Sequence, residues 1–169
     1  MLVVTPLRRL AETIALRSPS HLVSLLSPEE MIATPQGFAS ARHLRLGVHD
    51  VHGPTPGLVA PEAADIERLI AFAEAWDLSA PMAIHCFAGV SRSTASAFVV
   101  ACALSPGADE LSIAMAMRRA SPEAFPNRRI VALADDILDR RGRMAEAVEA
   151  MGGNGFISEG VPFALPARH

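Results

Sequence analysis

The chain has 169 residues, half of them hydrophobic and 20% charged, with a formal net charge of -3 and a pI near 6.0. That length suits one domain able to bury roughly two thirds of its unfolded surface, and the composition excludes a disordered chain. Mild acidity gives no sign of the strongly basic face of a nucleic-acid binder, and it leaves room for a local anion site.

Two cysteines, Cys86 and Cys102, are too few for a disulfide framework, so a reducing compartment is expected. The opening residues MLVVTPLRRLAE carry Arg8, Arg9 and Glu12 where the apolar core of a secretion signal would lie. The most apolar stretch, Ala95 to Leu104, is about half the length needed to span a bilayer. A cytoplasmic protein with no membrane partner and no nucleic-acid partner is expected.

In chain order, Thr5-Pro6 has the form of a helix start, with Thr5 as cap, and the helix runs to about Arg17. His21 to Leu26 is a short apolar run between serines and reads as a buried strand. Pro28-Glu29-Glu30 opens a brief helix. His43 to Val48 is a second strand leading into the Pro- and Gly-rich loop HDVHGPTPG. From Pro61 a helix places Ile66, Leu69, Ile70 and Ala73 on one apolar stripe.

Met82 to Ile84 is a further apolar strand, ending on His85-Cys86. Helices follow from Arg92 to about Leu104 and from Glu110 to Arg119. A last helical stretch begins after Pro126-Asn127, with Gly142 as an interruption before Met151. Residues 152–169 form a tail whose Phe156, Ile157, Val161, Phe163 and Leu165 suit it to strap across the domain of residues 1–151. Strands alternating with helices predict a single α/β domain, a mostly parallel central sheet flanked by helices. Ligands of such sheets sit at the carboxyl ends of strands, where Cys86 falls.

The segment His85-Cys-Phe-Ala-Gly-Val-Ser-Arg-Ser93 joins that strand to a helix. The amides of Phe87, Ala88, Gly89, Val90, Ser91 and Arg92 can converge on one anion at the helix N-terminus. Gly89 permits the tight turn, and Arg92 supplies a planar fork for two phosphate oxygens. Cys86 lies beneath this cradle, in a setting that favours the thiolate, the nucleophilic form. Ser93 can donate a hydrogen bond to the sulfur and ease its departure.

Cys86, five residues, Arg92 and Ser93 resemble the active-site motif of the protein tyrosine phosphatases, and the string HCFAGVSRS resembles the dual-specificity branch. The resemblance runs from about His43 to Ile130, and Pro126-Asn127 falls where that branch often opens a late helix. It implies hydrolysis of phosphotyrosine, and of phosphoserine or phosphothreonine, through a phosphocysteine, with no metal and no cofactor. It casts His85 as the residue that orders the loop and calls for an aspartate general acid on a mobile loop upstream. Asp50, just past the second strand, fills that place; Asp65, on a helix, and Asp77, close before Cys86, suit it less. Cys102 reads as core, and His49 and His52 as solvated loop residues.

The partner implied is a phosphorylated protein. The branch also holds enzymes acting on phosphoinositides or RNA 5′ phosphates, but the lysines that lipid enzymes commonly place in this loop are missing from Phe87 to Val90. Arsenate reductases and low-molecular-weight phosphatases share the spacing, but carry their cysteine near the N-terminus. A phospho-residue binding module without catalysis typically lacks the cysteine, arginine or aspartate, and all three are present.

Overall fold

The computed structural model describes residues 1–153 and 158–169. Five strands form one sheet: β1 (Leu2–Pro6), β2 (His21–Leu26), β3 (His43–Gly47), β4 (Met82–Cys86) and β5 (Phe163–Leu165). Their order is β3-β2-β4-β1-β5. The first four are parallel, and only β5 runs antiparallel, on the outer edge of β1. The helices are α1 (Leu10–Arg17), α2 (Ala63–Glu74), α3 (Arg92–Ala103), α4 (Glu110–Ala120), α5 (Arg128–Ile137) and α6 (Arg143–Ala150).

Alternation along the strands divides the core. Leu2, Val4, Val23, Leu25, Met82 and Ile84 face the large cluster built with α2 to α6. Leu22 and Ala83 face a smaller one, formed with Leu10 of α1, Leu7, Ile14, Ile32 and Phe38. The strands β1, β2 and β4 are buried along their whole length, as expected where helices cover both faces of a parallel sheet.

One expected element is different. Thr5-Pro6 is not a helix start: Leu2–Pro6 is a strand, paired with all of β4 from Met82 to Cys86. The β-branched run Val3-Val4-Thr5 favours extended backbone, and Pro6 sits at the strand end, where its missing N–H is tolerated. The helix begins later, at Leu10, after a 3-10 turn over Leu7–Arg9. The strand after His21, the helices around Ile66 and after Arg92, and the break at Gly142 lie close to where the sequence pattern places them. In the tail, Phe163 and Leu165 are buried against β1, while Phe156 and Ile157 lie outside the described residues. Among the described residues no helix is long and apolar enough to cross a membrane.

The helix that matters for the site is α3. Every residue from Arg92 to Cys102 is buried, so it threads the core with its N-terminus at the end of β4. Phe98, fully buried, is its largest anchor. Phe98→Ala should lower unfolding free energy by about 3–5 kcal/mol, the usual cost of a large aromatic cavity. Denaturant titration checks this; a loss under about 1 kcal/mol would show that α3 is not held by that contact.

Candidate functional site

The nine residues from His85 to Ser93 make the turn from β4 into α3. Cys86 is 1% exposed. Its Sγ accepts a hydrogen bond from the Gly89 amide at 3.2 Å and lies 3.2 Å from Ser93 Oγ. The Gly89 contact puts an N–H donor on the sulfur, and either partner can donate in the Ser93 contact.

The loop carbonyls show how the amides are aimed. Phe87 O accepts from Leu7 N at 3.1 Å and Ala88 O from Gly160 N at 2.9 Å. Val90 O accepts from Phe125 N at 2.9 Å, and Ser91 O from Asn127 N at 3.2 Å. These carbonyls therefore point outward, to donors beyond the loop. In a trans peptide the next residue's N–H points the opposite way from the carbonyl, and the described chain has no cis bond. The amides of Ala88, Gly89, Ser91 and Arg92 consequently turn away from those donors, to the inner side of the loop, where that of Gly89 meets Cys86 Sγ.

Gly89 makes that path possible. Its φ is +72°, and a Cβ there would stand 2.7 Å from Pro6 N. No other residue type fits without moving the end of β1.

Arg92 is 7% exposed, and its Nη1 donates to Val48 O at 2.7 Å. That bond ties α3 to the chain just past β3 and orients the guanidinium. The Nε is buried without a partner. An unpaired buried donor is costly, so it marks a place where an anion oxygen would be welcome.

Asp50 lies on the loop after β3. Its Oδ1 accepts from Ser91 Oγ at 2.7 Å and from Asn127 Nδ2 at 2.8 Å. Asp50, His52, Cys86, Phe87, Ala88, Val90, Ser91, Arg92 and Phe125 line one cavity of about 360 Å³. The structure thus brings together Cys86, Arg92, Ser93, Asp50 and the loop Phe87–Arg92.

The other aspartates are occupied elsewhere. Asp65 completes the capping box of α2, accepting from the Glu62 amide at 3.1 Å. Asp77 is held by Ser79, whose hydroxyl and amide keep its carboxyl below the usual range. His49 braces the Asp50 loop rather than standing free: its Nδ1 accepts from Val59 N at 2.9 Å and its Nε2 pairs with Glu29. Cys102 is deep in the core, where burial pushes its thiol up to about 12.

His85 is fully buried behind the loop. Its Nε2 meets Ser24 Oγ at 2.6 Å, and the same hydroxyl meets His43 Nε2 at 2.8 Å. His43 Nδ1 continues to Thr34 Oγ1 at 3.0 Å. Ser24 has one proton to give, so one imidazole must accept from it and the other must donate to it. Burial brings both rings down to about 4, and the Cys86 backbone opposes this at His85.

Sequence reasoning did not find Ser24, His43 or the second role of Asn127. Asn127 caps α5 through its Oδ1, accepting from Arg129 N and Ile130 N. Its Nδ2 holds Asp50 at the same time. The cap was readable from Pro126-Asn127, but the Asp50 contact spans distant parts of the chain and leaves no local signal.

No family model and no curated protein matches the chain. Solved structures do. DUSP15 is 18% identical, with a TM-score of 0.62 over 89% of this chain and 89% of that one. Human DUSP28 is 21% identical, with a TM-score of 0.62 over 89% of this chain and 95% of that one. PTPMT1, solved in complex with PI(5)P, is 14% identical, with a TM-score of 0.62 over 83% of this chain and 91% of that one. The chain therefore has the fold of the dual-specificity phosphatases.

The buried histidines give a test of pH response. Their folded pKa, about 4, lies below the ordinary value of 6.5, so the unfolded chain binds more protons between the two. Their contribution to stability is then complete above 6.5 and falls as pH drops toward 4. Imidazole ¹⁵N shifts of His43 and His85 should stay those of neutral rings at about pH 5. Titration of either ring near its ordinary value would contradict the buried, neutral chain.

Proposed function

We propose that this protein is a cysteine-dependent phosphatase that hydrolyses phosphotyrosine, with phosphoserine and phosphothreonine as further candidate substrates. The observation that carries this reading is the cavity lined by Asp50, Cys86, Ala88, Ser91 and Arg92, together with the Gly89 amide that donates to Cys86 Sγ. The loop amides, the Arg92 fork and the positive end of α3 suit a phosphate dianion, and the sulfur beneath them suits in-line attack on phosphorus.

In the first step the Cys86 thiolate forms the S–P bond as the bond from phosphorus to the leaving oxygen breaks. Asp50, protonated, gives that oxygen its proton. Its Oδ1 is engaged by Ser91 and Asn127, which leaves Oδ2 as the oxygen to carry the proton. In the second step water attacks the phosphocysteine and the Asp50 carboxylate takes a proton from it. The S–P bond breaks, and Ser93 Oγ donates to the returning thiolate. Inorganic phosphate leaves. His85 holds the loop from behind through Ser24, and no step needs a metal or a cofactor.

A phosphoprotein substrate is favoured by the uncharged side chains of Phe87, Ala88, Gly89 and Val90, which offer a multiply charged headgroup no further cation. Phe87, 57% exposed at the rim, presents an aromatic surface to an incoming side chain. A soluble substrate would fit a cytoplasmic location.

Purified protein should release phosphate from a phosphotyrosine peptide at a rate unchanged by a chelator, and more slowly from a phosphoinositide. Cys86→Ser should abolish turnover while still binding tungstate, because the serine hydroxyl stays protonated. Persistent turnover in that variant would exclude the covalent route. Asp50→Asn should lower kcat by roughly 10²–10⁴ on phosphotyrosine, with KM little changed. The loss should be smaller on a nitrophenyl ester, whose leaving oxygen needs less protonation; equal losses on both would place the acid elsewhere. Arg92→Lys should be severely impaired although the charge is kept, because a point charge cannot reproduce the fork; activity within a few fold of wild type would assign Arg92 to packing alone.

A further inference from the structure

Residues 158–165 reach the back of the phosphate loop. Phe163–Leu165 pair with Leu2–Val4 along the edge of β1, in the register Leu2↔Leu165 and Val4↔Phe163. From there the chain leads back to Glu159, which forms an ion pair with Arg8. Between these two anchors Gly160 is buried, and its amide donates to Ala88 O at 2.9 Å.

Gly160 also stands against the next peptide unit. A Cβ at 160 would lie 3.0 Å from Gly89 O and 3.5 Å from Val90 Cγ2. A Cβ at Gly89 would likewise collide with Pro6 N, at 2.7 Å. The loop is therefore in close contact with both the end of β1 and the C-terminal strap, with a glycine at each contact.

We propose that Gly160 is a positioning residue of the phosphate site, and that the strap of residues 158–165 is a working part of that site. The inference rests on the phosphatase reading above. Its physical basis is the Ala88–Gly89 peptide unit. When Gly160 holds the Ala88 carbonyl outward, the Gly89 amide is held inward, where it meets Cys86 Sγ. An oxyanion bound above Cys86 Sγ lies in the field of these inward-facing peptide dipoles, and its charge polarises the Ala88–Gly89 unit and strengthens the hydrogen bond behind it. Binding at the front and strap contact at the back are then coupled, and the coupling is reciprocal.

Two measurements test this with tungstate as the probe. In the wild-type protein, saturating tungstate should slow hydrogen exchange of the Gly160 amide by roughly fivefold or more, the range of ordinary coupling between sites. In Gly160→Ala, tungstate affinity should fall by about tenfold or more, as small misplacements in a preorganised site do. The comparison variant is Val148→Ala on α6, a buried residue of the helix packed against α4 and α5. It should lose thermal stability and keep its tungstate affinity, which separates positioning from stability in general.

Tungstate binding with unchanged Gly160 exchange would overturn the proposal, as would wild-type affinity in Gly160→Ala. An equal loss of affinity in Val148→Ala would overturn it too, by making the effect one of stability alone. Should Gly160→Ala fail to fold, the exchange measurement on wild type decides by itself. A wild-type protein that binds no tungstate at all would overturn the phosphate-site reading along with this one.

Discussion

The site depends on one constraint of the peptide bond: an amide can be aimed at a ligand only if the preceding carbonyl is aimed away from it. A loop that gathers several amides toward one anion must push as many carbonyls outward, and each needs a donor. Here the donors come from Leu7 after β1, Gly160 of the C-terminal strap, and Phe125 and Asn127 before α5. Much of the fold can be understood as the means of bringing those segments to one place. The parallel sheet sets Leu7 beside the loop by pairing β1 with β4, and α3 fixes where the loop must end.

The same economy appears around Asp50. A carboxylate on a loop with glycines and prolines has no fixed position of its own. Ser91 and Asn127 supply one, and both also belong to the loop's support: Ser91 is in the loop, and the Asn127 amide holds Ser91 O. Val48, two residues before Asp50, receives Arg92. Cys86, Arg92 and Asp50, the proposed nucleophile, clamp and acid, are thus each held by hydrogen bonds to the loop or the segments that support it, so their spacing is set before any ligand arrives.

The proposed chemistry is legible in the sequence because its residues are local. Cys86, Gly89, Arg92 and Ser93 fall within eight residues between an apolar strand and an apolar helix, and each residue type has a definite physical task there. The strand His21–Leu26 and the helix Ala63–Glu74 were equally open, since their patterns come from burial. The first strand was obscured because Leu2–Pro6 is short and ends in Thr-Pro, a pair that also starts helices; pairing with β4 decides the matter. Ser24 and His43 each look ordinary in sequence and acquire meaning only when β2 places them beside His85. Gly160 belongs with them, because nothing near it in the chain announces a contact with Ala88.

The central claim is that Cys86 carries the phosphoryl group between two half-reactions. Acid quenching during turnover of a phosphotyrosine peptide, followed by mass spectrometry of the peptide containing Cys86, addresses it directly. The account predicts a species heavier by one phosphoryl group on Cys86, formed within the first turnover and persisting longer in Asp50→Asn, where attack by water is slowed. Turnover with no phosphoryl group ever found on Cys86, in the wild type or in that variant, would contradict it.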